Sequence, residues 1–226
     1  MTKKPVWREY LEALFVAFFL AMLIRSFVMQ AYQIPSGSML NTLLIGDKIL
    51  VNRLSYNLKL PLTDKVLVRL GDPDFGDVIV FTYPDPDPDR PRVDYVKRVI
   101  GLPGDVIESH DNQIYRNGNK IDEPYARFTK PAPAAGPYYY LSPAPFVRGT
   151  PRDFAPLTIP EDSYFVMGDN RDDSQDSRYW GFVRREAVHG KAWRVYWSWG
   201  GAPGDAGSSA FPQTGPRWSR IGHPVQ

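Results

Sequence analysis

The chain has 226 residues, of which 43% are hydrophobic and 23% are charged, with a formal net charge of +2 and no cysteine. So small a charge gives no support for nucleic-acid binding, and the lack of cysteine excludes disulfides and thiolate metal sites. About 195 residues follow the single long apolar segment, enough for one domain with a substantial hydrophobic core.

The N-terminal part of the chain predicts a membrane anchor. The segment from Leu11 to Met29 is almost entirely apolar, and as a helix it would rise roughly 28 Å, close to the thickness of a bilayer core. Basic residues precede it, so the positive-inside rule places the N-terminus in the cytoplasm. The alternative is a cleaved signal peptide. The ending Met29-Gln30-Ala31 argues against cleavage, because a bulky residue stands where a small one is needed.

Beyond the anchor the pattern predicts a mainly antiparallel β domain. Short runs rich in β-branched and aromatic residues, bounded by turn residues, indicate strands. These runs are Asp47–Asn52, Asp77–Phe81, Tyr95–Ile100, Asp162–Met167 and Trp193–Trp199. An Asn-Gly turn between apolar flanks predicts a hairpin over Gln113–Ile121. No stretch after Met29 keeps a helical period over three or four turns.

The chain therefore divides into two predicted parts. Residues 1–30 are expected to form a cytoplasmic N-terminus and transmembrane anchor, and residues 31–226 one domain outside the membrane. An irregular proline-rich insertion is expected at about 108–160, because eight prolines fall between Pro124 and Pro156. The proline-rich run 84–91 and the Gly/Ser/Pro-rich run 200–215 are predicted loops.

Ser38 lies nine residues beyond the apolar segment, in the run Ile34-Pro35-Ser36-Gly37-Ser38-Met39. The simplest interpretation is a turn leading out of the anchor. A functional interpretation is also open, because Gly37 would let the backbone approach a bound carbonyl. The main-chain N–H of Ser38 and the hydroxyl of Ser36 could then hold a developing oxyanion.

A serine nucleophile needs a base, and Lys97 is the best candidate in the chain. The three histidines are scattered. Strand alternation places Lys97 on one face with Tyr95 and Val99. Burial on that face would lower the lysine pKa from about 10.4 towards the range in which an amine can act as a base. The alternative is a lysine that extends to solvent from a strand edge.

The acidic loop Gly168–Gly181 is the third cluster that could carry chemistry. Its alternating carboxylates resemble calcium ligands. However, it lacks the central glycine and final glutamate of an EF-hand, and Arg171 and Arg178 would neutralise its acids. The pattern favours an internally paired structural loop, with no metal.

Together these clusters resemble bacterial signal peptidase I, a membrane-anchored serine endopeptidase. The shared motifs cover most of the chain in the family's order. They are Ser-Gly-Ser-Met after an apolar segment, Gly46-Asp47, Gly76–Val80, Tyr95–Asp105, Gly168–Arg178 and Trp218–Gly222.

The resemblance implies the roles of individual residues. Ser38 would be the nucleophile, Lys97 the general base, and Ser36 with the Ser38 amide the oxyanion hole. The orienting or structural residues near the site would be Ser174, Asp176 and Arg178. The residues lining the substrate pockets would be Tyr32, Ile34, Met39, Ile49, Val80, Tyr95 and Val96. No metal or organic cofactor is implied.

Two departures from the family pattern stand out. Tyr32 and Asp173 occupy positions where phenylalanine and asparagine are expected, and the first bears on the depth of the −3 pocket. Trp193, Trp197 and Trp199 form a run that is suited either to core packing or to an apolar rim at the membrane.

The resemblance also implies partners and location. The substrates would be the signal peptides of preproteins, cleaved after small residues at −1 and −3. The protein would be a single-pass protein of the bacterial inner membrane, with the catalytic domain on the periplasmic face, in contact with phospholipid and near the export translocon. The alternatives are a Ser/Lys processing peptidase of a conjugation system, a self-cleaving SOS repressor, and a catalytically silent β-domain adaptor. The repressor is disfavoured because the chain has an anchor and no DNA-binding segment.

Overall fold

The computed structural model describes residues 6–23, 28–59, 66–85, 87, 89–129, 146–201 and 214–226. The first element is helix α1, Val6–Leu23. Its large apolar side chains from Val6 to Leu20 lie on the surface, with Tyr10 74% and Leu14 71% exposed. Among the described residues, no helix is both long and apolar enough to cross a membrane. The predicted anchor, Leu11–Met29, overlaps α1 only as far as Leu23, and residues 24–27 lie outside the described part.

The rest of the described chain is built mainly from short strands. In chain order they are β1 (Met29–Gln33), β2 (Asp47–Asn52), β3 (Asn57–Lys59), β4 (Val66–Arg69), β5 (Val78–Thr82), β6 (Asp94–Gly101), β7 (Val106–His110), β8 (Gln113–Arg116), β9 (Asn119–Lys120), β10 (Phe154–Thr158), β11 (Ser163–Met167), β12 (Val183–Arg184), β13 (Val188–Gly200) and β14 (Gly215–Pro216). The helices in the same part are α1, the single turn α2 (Ser177–Trp180) and short 3₁₀ turns.

The largest sheet has the order β1-β2-β13-β5-β6-β11-β12, with β14 paired to β13. A second sheet has the order β10-β7-β8-β9, and β3 pairs with β4. Every strand pair in these sheets is antiparallel. The predicted antiparallel β class is therefore confirmed.

The central strands are buried on both faces of the large sheet. In β5, Val78 and Val80 belong to one apolar cluster, while Ile79 and Phe81 belong to another. Successive residues of a strand point to opposite faces, so the two clusters lie on opposite sides of the sheet. β6 pairs with β5 so that Lys97 stands opposite Ile79. Lys97 is therefore carried on a face that is otherwise apolar.

The proline-rich range at about 108–160 is partly regular where the structure describes it. It contains β8, β9 and β10 as well as the end of β7. The predicted hairpin is present, with Asn117 and Gly118 at φ 53° and 76° joining β8 to β9. Both residues have positive φ, as a two-residue hairpin turn requires. Residues 130–145 of the predicted insertion, and most of the predicted loop 200–215, lie outside the described residues.

A buried ion pair joins β6 to the acidic loop. Arg98 and Asp169 are 2% and 1% exposed. Nε and Nη2 of Arg98 donate to the two Asp169 carboxylate oxygens over 2.8 and 2.7 Å. Arg98 also donates to the carbonyls of Gly76 and Gln226, and Thr42 donates to Asp169 over 2.5 Å. The pair thus ties the loop, the end of the chain and β6 together.

Breaking this pair from one side should be costly. We expect Asp169→Ala to lower the free energy of unfolding by about 3–5 kcal/mol, because Arg98 would keep an uncompensated charge in the interior. The double variant Arg98→Met, Asp169→Leu should lose less, since it leaves no buried charge. Urea unfolding followed by tryptophan fluorescence measures both. A double variant less stable than the single one would show that the unpaired charge is not the cause.

Candidate active site

The segment after β1, which contains Ser38, is fixed by its neighbours on either side of that residue. Ile34 exchanges main-chain hydrogen bonds with Asp47 and Gly46 over 2.8 and 2.9 Å, and its side chain is buried. Met39 is also buried, with 1% of its surface exposed. Ser36 and Ser38 lie between these two buried residues. Ser36 is exposed and Ser38 is half-buried. The local sequence therefore presents both hydroxyl-bearing residues on a fixed turn.

Lys97 reaches this turn from the middle of β6. Its Nζ lies 2.6 Å from Ser38 Oγ, within hydrogen-bonding distance. The side chain is 4% exposed. The amine also lies 5.4 Å from the centre of the Tyr95 ring. The nucleophile and base candidates, 59 residues apart in the chain, are therefore in direct contact.

Burial changes the basicity of this amine. Loss of hydration is the main reason that the pKa of Lys97 falls from 10.5 to about 8. Asp176 acts to raise the pKa and Arg178 to lower it. Since these two side chains bind each other, Arg178 opposes the effect of Asp176 on the pKa of Lys97.

The Asp176–Arg178 pair is buried beside the site. Arg178 Nε and Nη2 each donate to a different carboxylate oxygen over 2.8 Å. Asp176 also accepts from the Gly168 N–H over 3.0 Å and caps α2. Although burial favours protonation, the Arg178 charge and these hydrogen bonds lower the pKa of the Asp176 carboxyl. A negative Asp176 is thus held by an arginine rather than by Lys97.

Asp169, Arg171 and Asp172 of the loop are also paired, each with a residue outside it. Asp172 binds Arg152 over 2.5 Å, and Asp169 binds Arg98. Arg171, predicted to neutralise the loop, binds Glu123 instead. No three acidic or histidine side chains in the described part of the chain converge as metal ligands would.

Gly168 is a site residue whose role the sequence did not indicate. A Cβ at this position would overlap both Ser174 Oγ and the Ser38 carbonyl oxygen. Only glycine therefore lets the start of the acidic loop pack directly against the turn that carries Ser38. Its presence in the loop motif was the only signal, and it does not distinguish close packing from turn formation.

Ser174 is buried next to Gly168, behind the surface of the cleft. Among the described residues its Oγ has no hydrogen-bond partner within standard geometry, although it is near enough to the Asp176 carboxylate to help lower the pKa of that group. No hydrogen bond joins it to Lys97. The orienting role implied by the resemblance stays a prediction.

Ser38 and Lys97 line a cleft of about 830 Å³. Five of the seven predicted pocket residues also line it. They are Tyr32, Ile34, Met39, Tyr95 and Val96. Ile49 and Val80 are fully buried and pack beneath the cleft, in the same apolar cluster as Ile34 and Met39. They support the wall rather than form its surface.

The sequence of this chain matches that of a known protein family. A sequence model of the family described as "Signal peptidase, peptidase S26" matches residues 7–197. The chain belongs to this family. Signal peptidases cleave signal peptides from proteins, and this chain is an enzyme of that kind.

Two relatives named signal peptidase I agree with the family assignment. Signal peptidase I of Pseudomonas fluorescens is 37% identical over 218 residues, covering 88% of this chain and 75% of the relative. Signal peptidase I S of Bacillus subtilis is 36% identical over 178 residues, covering 79% and 82%. The crystal structure of a signal peptidase I from Enterococcus faecalis is 33% identical, with a TM-score of 0.38, and matches 54% of this chain and 97% of that one.

Asn170 of this signal peptidase is a second site residue that sequence reasoning did not indicate. Its side-chain N–H donates to the Gly37 carbonyl over 3.0 Å, and its main-chain N–H donates to the Ser38 carbonyl over 3.1 Å. Nothing in the sequence singles out an uncharged amide within an acidic loop. Only the contacts of Asn170 in the structure reveal that it holds the Ser38 turn.

The buried lysine should make the stability of this enzyme depend on pH. The pKa of Lys97 is about 8 in the folded state and 10.5 in its ordinary state, so the unfolded chain binds more protons between these pH values and stability rises with pH there. The penalty is nearly complete at pH 7. The gain in free energy of unfolding on Lys97→Met should therefore be about 2–3 kcal/mol larger at pH 7 than at pH 10.

Urea unfolding at the two pH values measures this difference. The matched control is Lys120→Met, at an exposed position of β9. An effect of Lys97→Met that is the same at pH 7 and pH 10 would contradict burial as the cause of the lowered pKa.

Proposed function

We propose that this protein removes N-terminal signal peptides from exported preproteins, with Ser38 as nucleophile and Lys97 as general base. The observation that carries the proposal is the 2.6 Å contact between Ser38 Oγ and the buried Lys97 amine. A catalytically silent adaptor would gain nothing from a lysine that is desolvated against a serine, because burying an amine without a counter-charge lowers stability.

The reaction is acyl transfer in two steps. Neutral Lys97 takes the Ser38 proton while Oγ attacks the carbonyl carbon of the scissile peptide bond. The resulting tetrahedral intermediate collapses, and Lys97 returns the proton to the leaving amine, which becomes the N-terminus of the mature protein. Water, deprotonated by the same lysine, then attacks the ester and releases the signal peptide.

The lowered pKa makes this base available near neutral pH. At pH 8 about half of the Lys97 amines are neutral, whereas at the ordinary lysine pKa only about 0.3% would be. The Asp176–Arg178 pair supports this role, because Arg178 lowers the pKa of Lys97 and so opposes the Asp176 carboxylate, which raises it.

The turn that carries Ser38 supplies donors for the oxyanion. In the part of the chain that the structure describes, the Ser38 N–H has no acceptor, and Ser36 lines the same cleft with an exposed side chain. Donors directed at the developing negative charge stabilise the transition state more than the ground state. We assign the oxyanion hole to the Ser38 amide and the Ser36 hydroxyl.

The walls of the cleft account for a preference for small residues at −1 and −3. Tyr32, Ile34 and Val96 line it over a fully buried layer that includes Ile49 and Val80. Side chains packed against such a layer cannot withdraw to admit a large residue. Small substrate side chains therefore fit, and large ones are excluded sterically.

Membrane association fits the surface of the molecule. We assign the segment before β1 to a single anchor with a cytoplasmic N-terminus, and the chain from Met29 onward to a catalytic domain on the outer face of the bacterial inner membrane, because Met29 and Gln30 pair with β2 rather than continue the predicted anchor of residues 1–30. The apolar side chains of α1 are exposed, as a lipid-facing helix requires. Trp193, Trp199 and Trp218 are 47%, 51% and 69% exposed, and their amphipathic rings suit the phospholipid interface. A location near the export translocon follows from the preprotein substrates.

Replacing either member of the dyad should abolish processing. We expect Ser38→Ala and Lys97→Ala to lower kcat for cleavage of a purified preprotein by at least about 10³-fold, because nucleophile and base act as a unit. Ser208→Ala serves as the control hydroxyl deletion, at a position separate from the Ser38 turn in sequence. Gel analysis of the mature product measures the rates, and normal processing by either dyad variant would refute the mechanism.

The pH profile of the wild type tests the base separately. Because the neutral amine is the active form, kcat/KM should rise with pH and level off above an apparent pKa of about 8. A profile that continues to rise to the ordinary lysine pKa would show that Lys97 is not desolvated in the working enzyme.

The cleft wall should control selection at −3. We expect Tyr32→Ala to raise kcat/KM for a preprotein with leucine at −3 by about 10- to 100-fold relative to the alanine substrate, since the ring no longer occupies that space. Tyr196→Ala, at an exposed position of β13, is the matched control. An unchanged leucine-to-alanine ratio would remove Tyr32 from the specificity pocket.

A further inference from the structure

Asn170 touches the Ser38 turn at two consecutive carbonyls. It follows β11 in the acidic loop, is 3% exposed and lines the substrate cleft. The side-chain Nδ2 donates to the Gly37 carbonyl over 3.0 Å, and the main-chain N–H donates to the Ser38 carbonyl over 3.1 Å. Substitution of the side chain removes the first bond and leaves the second, so the two contributions can be separated.

The bond to Gly37 fixes the direction of the Ser38 N–H. The Gly37 carbonyl and the Ser38 N–H belong to one peptide unit, which is trans. In a trans peptide these two groups point in opposite directions. With the carbonyl turned towards Asn170 and the Leu40 N–H, the Ser38 N–H points away from both. Within the described residues it has no acceptor of its own.

Gly37 makes this peptide unit easy to rotate. A glycine before the unit has no Cβ to restrict its backbone angles, so the Ser38 N–H would otherwise sample other directions. A donor held in a single direction is what electrostatic stabilisation of a transition state requires. The Asn170 amide supplies that restraint from a different part of the chain.

The oxygen of the Asn170 side-chain amide gives further support for this restraint. Asn170 Oδ1 is buried and has no hydrogen-bond partner among the described residues. An unpaired buried amide oxygen lowers stability. An apolar side chain of similar size would avoid that loss, so stability alone does not account for asparagine here.

We propose that Asn170 is a positioning residue that orients the Gly37–Ser38 peptide, so that the Ser38 N–H is directed at the oxyanion. This role rests on the proposed function of Ser38 as nucleophile. Asn170 acts through the peptide unit and does not touch the reacting atoms. It should therefore affect the transition state far more than substrate binding.

A pair of inhibitors separates these two effects. Ser38 Oγ adds to the carbonyl carbon of a substrate-like peptide aldehyde, forming a C–O bond. Its proton goes to Lys97, and the aldehyde oxygen becomes the oxyanion. The matching peptide alcohol binds the same cleft and cannot form this adduct. We expect Asn170→Ala to weaken aldehyde binding and to lower kcat by about 10- to 100-fold, with KM and alcohol binding changed less than about threefold.

Two further readouts distinguish positioning from a structural defect. The apparent pKa of about 8 in the pH profile should persist in Asn170→Ala, because the surroundings of Lys97 keep their charge. The matched control is Asn119→Ala, which also removes an amide bond to a carbonyl, that of Asn117, at an exposed hairpin. It should leave kcat and both inhibitor affinities unchanged within about threefold.

The proposal is overturned if Asn170→Ala weakens aldehyde and alcohol by the same factor, or if kcat is unchanged. Should Asn170→Ala show no cooperative thermal unfolding, Asn170→Leu replaces it, because that variant keeps roughly the size of the side chain, lacks the donor and adds no charge to the cleft. The same aldehyde-to-alcohol ratio then decides. Ser38→Ala tests the underlying function independently: if the aldehyde binds it as tightly as wild type, the nucleophile assignment itself fails.

Discussion

Lys97 occupies a position in β6 at which its amine loses water without gaining a carboxylate partner, and the arrangement of the site depends on this constraint. The next residue, Arg98, is equally buried on the opposite face of the strand but binds Asp169 through two hydrogen bonds. The two neighbouring cations therefore differ in whether a carboxylate binds them. Arg98 ties the structure together through its ion pair, whereas the pKa of Lys97 falls to about 8 and its amine lies within hydrogen-bonding distance of the Ser38 hydroxyl.

The acidic loop maintains this difference. Its carboxylates at 169, 172 and 176 each bind an arginine, and the charge of Arg178 opposes the effect of Asp176 on the pKa of Lys97. The same loop packs against the Ser38 turn through Gly168 and holds it through Asn170. The loop thus holds its carboxylates in pairs with arginines near the base, and it also shapes the turn that carries the nucleophile.

Much of the fold could be predicted from local pattern, and the failures have physical causes. The bounds of β2 were predicted correctly, and those of β5, β6 and β11 to within a residue at each end, because β-branched runs between turn residues identify strands locally. β1 was missed, since Met29 was taken as the end of the anchor and its strand forms only by pairing with β2. The strands β3, β4 and β10 were missed for a similar reason: their sequences carry weak alternation, and pairing with distant partners stabilises them.

The sequence by itself determined which chemical groups were available: a serine in a glycine-containing turn, a lysine in an apolar strand, and an acidic loop that contains its own arginines. Only the tertiary structure decided how they act together. Desolvation of Lys97 depends on the sheet faces that enclose it, and the direction of the Ser38 N–H depends on an amide more than 130 residues away in the chain. Burial and peptide orientation are set by whatever packs against a residue from elsewhere, so no local pattern can encode them.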